Sequence, residues 1–538
     1  MSTADRRLLA REALISTSLA ASLAALLLWA TPPGIDWAAH AYQRTFLIQH
    51  GFVIWNNFWY AGRYSFVTYS LIYYPLAALL GIRALALASI AAAALGFSLV
   101  VLRQWGPAAK LSSRTFAVLW VGIVGSAAFP FALAIAFALL GIRALQGGRR
   151  GRFAILTLLT LAASPLAFVL LGIVAGGALL SRRSLRNVGV PAAAVVIGGA
   201  AELLLLRLFG DGGRFPFPFV ELIPALIFCA LGLAVTNGVA AARPLRGVFW
   251  IYLVALIVAY LVPSGLGSNI DRIRLAALPL ALLASSLRRW RPLWLVVPAV
   301  VLAAIWNTTP IATSFASTSG DPESSRAYWQ PAIRYLHRHL SPSFRVEAVD
   351  TVEHWPAAYL PEAGIPIVRG WYRQSDFPEN ELLYDNKLGA RTYDNWLRAL
   401  GVRYVVLSDT QPDYSSRLEA RLVRDGRAGL VRVYSSAHVD VYMLPRATPM
   451  VTGPAPASVA WLWPTRVVLD LGAPGTYRVA LRWSPYWHSA AGCVAKGKDG
   501  MVRLHSTEAG LVDLSFDLSM TRGLDALAGI APDGTCGS

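Results

Sequence analysis

Long apolar runs separated by short arginine clusters fill roughly the first 310 residues, and short alternations of apolar and polar positions fill the rest. A bilayer span needs about 17–25 apolar residues. That rule marks segments at 12–31, 66–81, 83–102, 115–145, 153–164, 166–181, 188–208, 219–241, 247–264, 273–287 and 292–310, an expectation of eleven spans. Pro130 leaves the 115–145 run open between a tilted helix and a hairpin, and Ser164-Pro165 breaks the 153–181 run into two short helices. The first run, Ala13 to Ala30, follows a basic N-terminus as a signal peptide would. No small-x-small site follows it cleanly and many apolar runs come after it, which favours a retained span.

Beyond residue 311 the pattern predicts two external sections, 311–447 of mixed α/β type and 457–538 of β-sandwich type, joined by a Pro-rich stretch from Thr448 to Pro456. Ala327–Leu340 and Thr392–Leu400 read as helices, and Arg345–Val349 and Val402–Leu407 as strands. Val431–Tyr434 and Val439–Leu444 flank the turn Ser435-Ser-Ala-His438 as a hairpin. Arg466–Leu471, Thr476–Trp483, Met501–His505 and Leu511–Leu518 read as the strands of the sandwich. The fold class is thus an α-helical polytopic membrane domain, 1–310, followed by an external α/β section and a small β-sandwich.

Composition agrees: 56% of residues are hydrophobic and 14% charged, and mean hydropathy is +0.50. The net charge of +18 does not point to nucleic acid, because the basic clusters stand between apolar runs. Arg6-Arg7-Arg11, Arg149-Arg150-Arg152, Arg182-Arg183-Arg186, Arg243-Arg246 and Arg288-Arg289-Arg291 form a positive-inside pattern. It predicts a multi-pass protein of the cytoplasmic membrane, with the N-terminus cytoplasmic and the C-terminal part external or periplasmic. Arg103, Lys110 and Arg114 run against it, falling outside in this arrangement. Of the three cysteines, Cys229 lies in an apolar run, and Cys493 and Cys536 are positioned for a single disulfide if the tail is external. No CxxC or HExxH spacing occurs, so the sequence offers no dedicated metal cage.

Asp36 is the only acid between Glu12 and Glu202, and it falls in the first external loop, 32–65. An ionisable group beside hydrocarbon is costly and usually functional. A lone carboxylate there is a candidate general base, with His40 four residues on; Asp is also a favoured N-cap, which gives Asp36 a structural reading as the cap of a helix over 36–50. That helix is predicted amphipathic and interfacial, with Trp37, Ala38, Tyr42, Phe46 and Leu47 opposing His40, Gln43 and Arg44. Arg272 and Arg274 are the best phosphate clamps, because a guanidinium grips phosphate through a planar fork, and Arg63 is a further choice. Asp271 beside them reads equally as a structural loop pair. Trp55, Trp59 and Tyr60 suit either a sugar platform or an interfacial aromatic belt. Trp371, Arg373, Gln374 and Asp376 mix an aromatic plane with polar groups, as a sugar site does.

Asp36 with His40, then Trp55-Asn-Asn-Phe-Trp-Tyr-Ala-Gly62, then Tyr73-Tyr74-Pro75-Leu76 resemble the GT-C superfamily of polytopic membrane glycosyltransferases over residues 10–310. Gly401-Val-Arg-Tyr-Val-Val406 is similar to the external tail of large bacterial members. The resemblance implies an inverting transfer of a sugar from a polyprenyl-phosphate donor to an envelope glycan, lipid or protein acceptor outside the cytoplasmic membrane, with Asp36 as base and membrane lipid as surroundings. Many members carry two neighbouring acids in the first loop where this chain has one, which leaves a divalent metal ion open as cofactor. Asp211, Glu221 and Asp271 stand at other external loop positions as sources of a second carboxylate. Two other classes remain beside this reading: a flippase or exporter of a lipid-linked saccharide, for which Glu202 is the one intramembrane acid, and a non-catalytic scaffold of envelope assembly.

Overall fold

The computed structural model describes residues 3–180, 189–210, 213–318 and 322–529. The chain forms two compact units: Met1–Trp37, Tyr69–Leu204 and Gly212–Ser319 make the first, and Ala38–Thr68, Leu205–Asp211 and Gly320–Ser538 the second. The segment 38–68, read from the sequence as part of the first external loop, thus clusters with the C-terminal residues.

The helices run in chain order α1 (Thr3–Ala30), α2 (Trp37–His50), α3 (Tyr73–Leu80), α4 (Ile82–Trp105), α5 (Lys110–Leu119), α6 (Ile123–Ser126), α7 (Phe129–Gln146), α8 (Arg150–Ala163), α9 (Pro165–Leu180), α10 (Gly189–Phe209), α11 (Phe219–Thr236), α12 (Arg243–Leu261), α13 (Ala277–Leu287) and α14 (Leu293–Thr318). Among the described residues seven helical stretches are long and apolar enough to cross a membrane: Arg6–Ala30, Ile82–Ser126, Phe129–Gln146, Gly189–Phe209, Phe219–Thr236, Ala240–Leu261 and Leu293–Thr318. Seven by that measure stands against the eleven expected. The 66–81 segment is not a span, because its helix α3 has eight residues, about 12 Å against a hydrocarbon core of about 30 Å. The 115–145 run breaks at Ala127, whose φ of 55° no helix continues through, and Pro130 opens α7. The 153–181 run breaks at Ser164-Pro165, the proline lacking the N–H that a continuous helix needs. Large side chains left bare on these helices, such as Trp294 at 76% exposure, mark the surface of a membrane protein.

Polar contacts tie several arginines of the first unit to neighbouring helices. Arg114 grips Glu12 through Nε and Nη2, both at 2.9 Å, and Arg103 donates to the carbonyl of Gln146 at 3.2 Å. Trp105 donates to the carbonyl of Ala241, and Arg288 to those of Val235 and Asn237. The expectation that Arg103, Lys110 and Arg114 stand apart from the other clusters is therefore corrected: with no crossing at 66–81 and a reversal inside 115–145, they reach the same end as Glu12. The cluster Arg182-Arg183-Arg186 lies outside the described residues.

In the second unit, β1 (Trp55–Asn56) and β2 (Arg63–Tyr64) pair antiparallel as a short hairpin. Next come α15 (Arg326–His339), β3 (Arg345–Ala348), α16 (Pro356–Glu362), α17 (Arg373–Glu379), α18 (Ala390–Ala399), β4 (Val402–Ser408), α19 (Arg417–Arg424), β5 (Val431–Ser435) and β6 (Val439–Met443). The sheet has the order β3-β4-β6-β5, parallel only between β3 and β4. Val349, Val368, Leu397, Val402, Val405 and Val423 form its core, into which Ala61 also packs. Eight further strands follow: β7 (Val451–Thr452), β8 (Ala457–Trp463), β9 (Arg466–Leu471), β10 (Gly475–Arg482), β11 (Trp487–His488), β12 (Gly492–Lys496), β13 (Met501–Ser506) and β14 (Gly510–Phe516). They build two antiparallel sheets, β12-β13-β10-β7 and β11-β14-β9-β8, before a last helix, α20 (Met520–Ala528). Cys493 on β12 is disulfide-bonded; Cys536, its expected partner, lies outside the described residues.

Candidate functional site

In the first unit Asp36 is half-buried and its backbone is fixed beyond the C-terminal end of α1, away from Glu12. Ile35 and Asp36 donate their N–H groups to the carbonyls of Gly125 and Ser126, at 3.0 and 3.1 Å. Gly34 is required for this approach, since a Cβ there would stand 2.3 Å from the carbonyl oxygen of Val124. Trp37 packs edge-on against Phe129 at 5.4 Å, and Arg83, a cation that sequence reasoning missed, stands 5.5 Å over the Trp37 ring. Its signal was an arginine at the start of an apolar run, in Gly81-Ile-Arg83.

Arg272 and Arg274 lie on a 3-10 helix, Gly267–Ala276, between α12 and α13. Arg272 sits 5.2 Å over the ring of Phe131, two residues along α7 from the ring that holds Trp37. It also lines a cavity of about 360 Å³ walled by Phe97, Phe116, Trp120, Phe131 and Leu171. Arg274 bonds Asp271 at 3.0 Å and borders a different cavity, between α11 and α14. Burial pushes the Asp271 carboxyl up to about 6, against the opposing pull of Arg274, with Glu221 adding to the rise. Asp211 lies outside the described residues. Among those described, no three His, Cys, Asp or Glu side chains converge to hold a metal ion.

The other sequence-predicted residues belong to the second unit, so Asp36 and His40, four positions apart, fall into different units. His40 and Gln43 were expected on the polar face of an interfacial helix. Both are buried instead: Gln43 accepts from Ser65 at 2.9 Å, and His40 packs edge-on against Trp371 at 5.6 Å. The helix over 37–50 forms, with His40 and Gln43 of its expected polar face buried along with Ala38, Tyr42 and Phe46. Trp55 lies among Tyr64, Trp487 and Phe516, Trp59 donates to the carbonyl of Ala357, and the Tyr60 hydroxyl donates to that of Tyr372. All three rings are at most 1% exposed and present no face to a sugar, being core side chains of the second unit. Tyr60 and Ala61 adopt positive φ (56° and 58°), and Gly62 follows because a Cβ there would meet the Trp55 ring at 2.7 Å. Arg63 is buried and stacks on Tyr372 at 3.6 Å.

Asp376 and Arg373 anchor a network that sequence reasoning missed. Arg369 grips Asp376 at 2.6 Å, and Arg373 grips Asp413 at 2.6 Å. Asp350 meets His354 at 2.8 Å, and Glu419 lies 3.7 Å from Arg369. Burial opposes the charge on Asp413, yet Arg373 and His354 hold its carboxyl well below the usual range. Burial likewise lowers His354, and Asp350 overrides it to a net rise. Burial and the adjacent Glu419 push the Glu347 carboxyl far up. Only the Asp350–His354 spacing of four was visible in sequence; the rest is brought together over up to 72 positions (Glu347 to Glu419). Trp371 and Gln374 are half-buried beside this network and remain reachable from solvent.

No family model and no curated protein matches the chain. Among solved structures it is similar to two cryo-EM structures of the arabinofuranosyltransferase AftD from Mycobacteria, a mutant seen in two classes. Class 2 shows 18% identity and a TM-score of 0.45, covering 82% of this chain and 42% of that one. Class 1 shows 15% identity and a TM-score of 0.42, covering 96% of this chain and 42% of that one. This chain thus spans less than half the length of those structures, and its activity has to be argued from its own residues.

Proposed function

We propose that the protein is a membrane glycosyltransferase that moves a sugar from a polyprenyl-phosphate donor to an envelope glycan, lipid or protein acceptor on the outer face of the cytoplasmic membrane. The observation that carries the reading is the Asp36 carboxylate, its backbone held by hydrogen bonds in an apolar bundle in which Arg272 borders a cavity of about 360 Å³. The polyprenyl chain occupies that cavity and Arg272 binds the phosphate. Asp36 takes the proton of the acceptor hydroxyl as its oxygen attacks the anomeric carbon. The bond from that carbon to the donor phosphate breaks, and the phosphate departs with the electron pair, stabilised by Arg272. Attack opposite the leaving group inverts the anomeric centre. Arg83 supplies a second positive charge near Asp36. Trp371 and Gln374 offer the second unit's reachable surface to a glycan, by stacking and hydrogen bonding.

The test is incorporation of labelled sugar from a panel of polyprenyl-phosphate donors into envelope lipid and glycan, in membranes carrying wild-type protein or equal amounts of Asp36→Asn. Transfer with one donor that disappears in the variant supports the reading. Equal incorporation in both rejects Asp36 as the base, and no incorporation from any donor rejects the transferase.

A further inference from the structure

Sequence reasoning treats Arg272 and Arg274 as one phosphate clamp, but they border different cavities of the first unit. We infer that the groove between α11 and α14, with Arg274 at its polar end, is a binding site for an anionic phospholipid of the surrounding bilayer, separate from the cavity at Arg272.

The groove measures about 540 Å³ and is lined by Phe228, Leu231, Leu302 and Trp306, with the Thr309 side chain further along α14. Both helices are long and apolar enough to cross a membrane. The groove opens sideways, since Ile227, Leu302 and Ile305 of its lining are 43%, 43% and 56% exposed, so a bilayer lipid enters it without crossing the protein. Pro224 within α11 and Pro310 within α14 both line it, at positions where proline removes a helical hydrogen bond. Phe228 and Trp306 close its inner wall, their rings 5.2 Å apart. The Arg272 cavity is walled by other elements: Phe97 stands on α4, Phe116 on α5, Trp120 just after it and Leu283 on α13.

Arg274 is the one charged residue among those lining the groove. Its Nη1 bonds Asp271, and the planar guanidinium carries five N–H donors, so a phosphodiester can be taken up beside that carboxylate. An acyl chain along Leu231, Leu302 and Trp306 with a phosphate at Arg274 matches both the apolar length and the single charge. The groove and its cation stand whether or not the chain transfers sugar.

The test uses the full chain in nanodiscs containing phosphatidylglycerol or phosphatidylcholine, each with a diazirine in one acyl chain, followed by mapping of the labelled peptides. Phosphatidylglycerol is expected to label α11 and α14 peptides. That labelling should fall about tenfold in Arg274→Gln and return in Arg274→Lys, and it should withstand Arg272→Gln and an excess of farnesyl phosphate. Recovery in the lysine variant separates lost charge from lost fold. Equal labelling by the two lipids, or labelling unchanged in Arg274→Gln, would overturn the site. Displacement by farnesyl phosphate would assign the groove to the polyprenyl lipid and overturn its separateness.

Discussion

The two units treat charge in opposite ways. The second buries Arg369, Asp376, Asp350, His354, Asp413 and Glu419 together, each within reach of an opposite charge or a hydroxyl. In the first, several charges instead border cavities or a fixed backbone turn, among them Asp36, Arg83, Asp271, Arg272 and Arg274. On the proposed function, density of charged groups is a poor guide to chemistry in this chain. A dense network of paired charges holds a fold in one arrangement, whereas the proposed function assigns the sparse charges beside an apolar cavity to a ligand.

The contrast can be broken by substitution. Arg369→Met leaves Asp376 and Glu419 buried against an apolar side chain, and should cost the second unit about 3–5 kcal/mol, read as a lowered midpoint in thermal or denaturant unfolding. A shift below about 1 kcal/mol would show that the network is not what holds the unit. Arg272→Gln should lower sugar transfer by about 10²–10³ with the unfolding midpoint unchanged, as loss of a charge-stabilising donor does. A fall in midpoint that accounts for the activity would make Arg272 structural. Trp371→Ala should raise the acceptor KM by about tenfold and leave kcat near wild type, as loss of one stacking contact would. The smallest effect is in pH. Because Asp350 raises the folded-state pKa of His354 above its unfolded value near 6.5, the pair's stabilisation is full below that value. It is lost as pH rises through the raised pKa. Unfolding midpoints of wild type should decline over that window, and His354→Gln should flatten the decline.

Much of the architecture was legible because it is local. Apolar runs and proline breaks placed most membrane helices, and alternation placed β9 at Arg466–Leu471 and the β5–β6 hairpin. The failures were non-local. The 66–81 run is apolar enough for a span, yet only Tyr73–Leu80 coils, and no periodicity reports that. His40 and Gln43 looked solvent-facing on a helical wheel, but Ser65 bonds Gln43 and the Trp371 ring packs on His40. Trp55, Trp59 and Tyr60 looked like a sugar platform for the same reason that they make a core, namely large amphipathic rings with a polar tip that needs a bonding partner. Gly370 shows the limit best: it is a glycine because a Cβ would meet Tyr60 at 2.8 Å and Trp59 at 2.9 Å, contacts spanning more than 300 positions.

The measurement that bears most directly on this account is sugar transfer and thermal unfolding, taken together on Asp36→Asn and Asp376→Asn in identical membranes. The account predicts that Asp36→Asn loses transfer and keeps its unfolding midpoint, while Asp376→Asn lowers the midpoint and loses transfer only in proportion to unfolded protein. Transfer surviving in Asp36→Asn, or lost in Asp376→Asn with the midpoint intact, would contradict it and move the chemistry into the second unit.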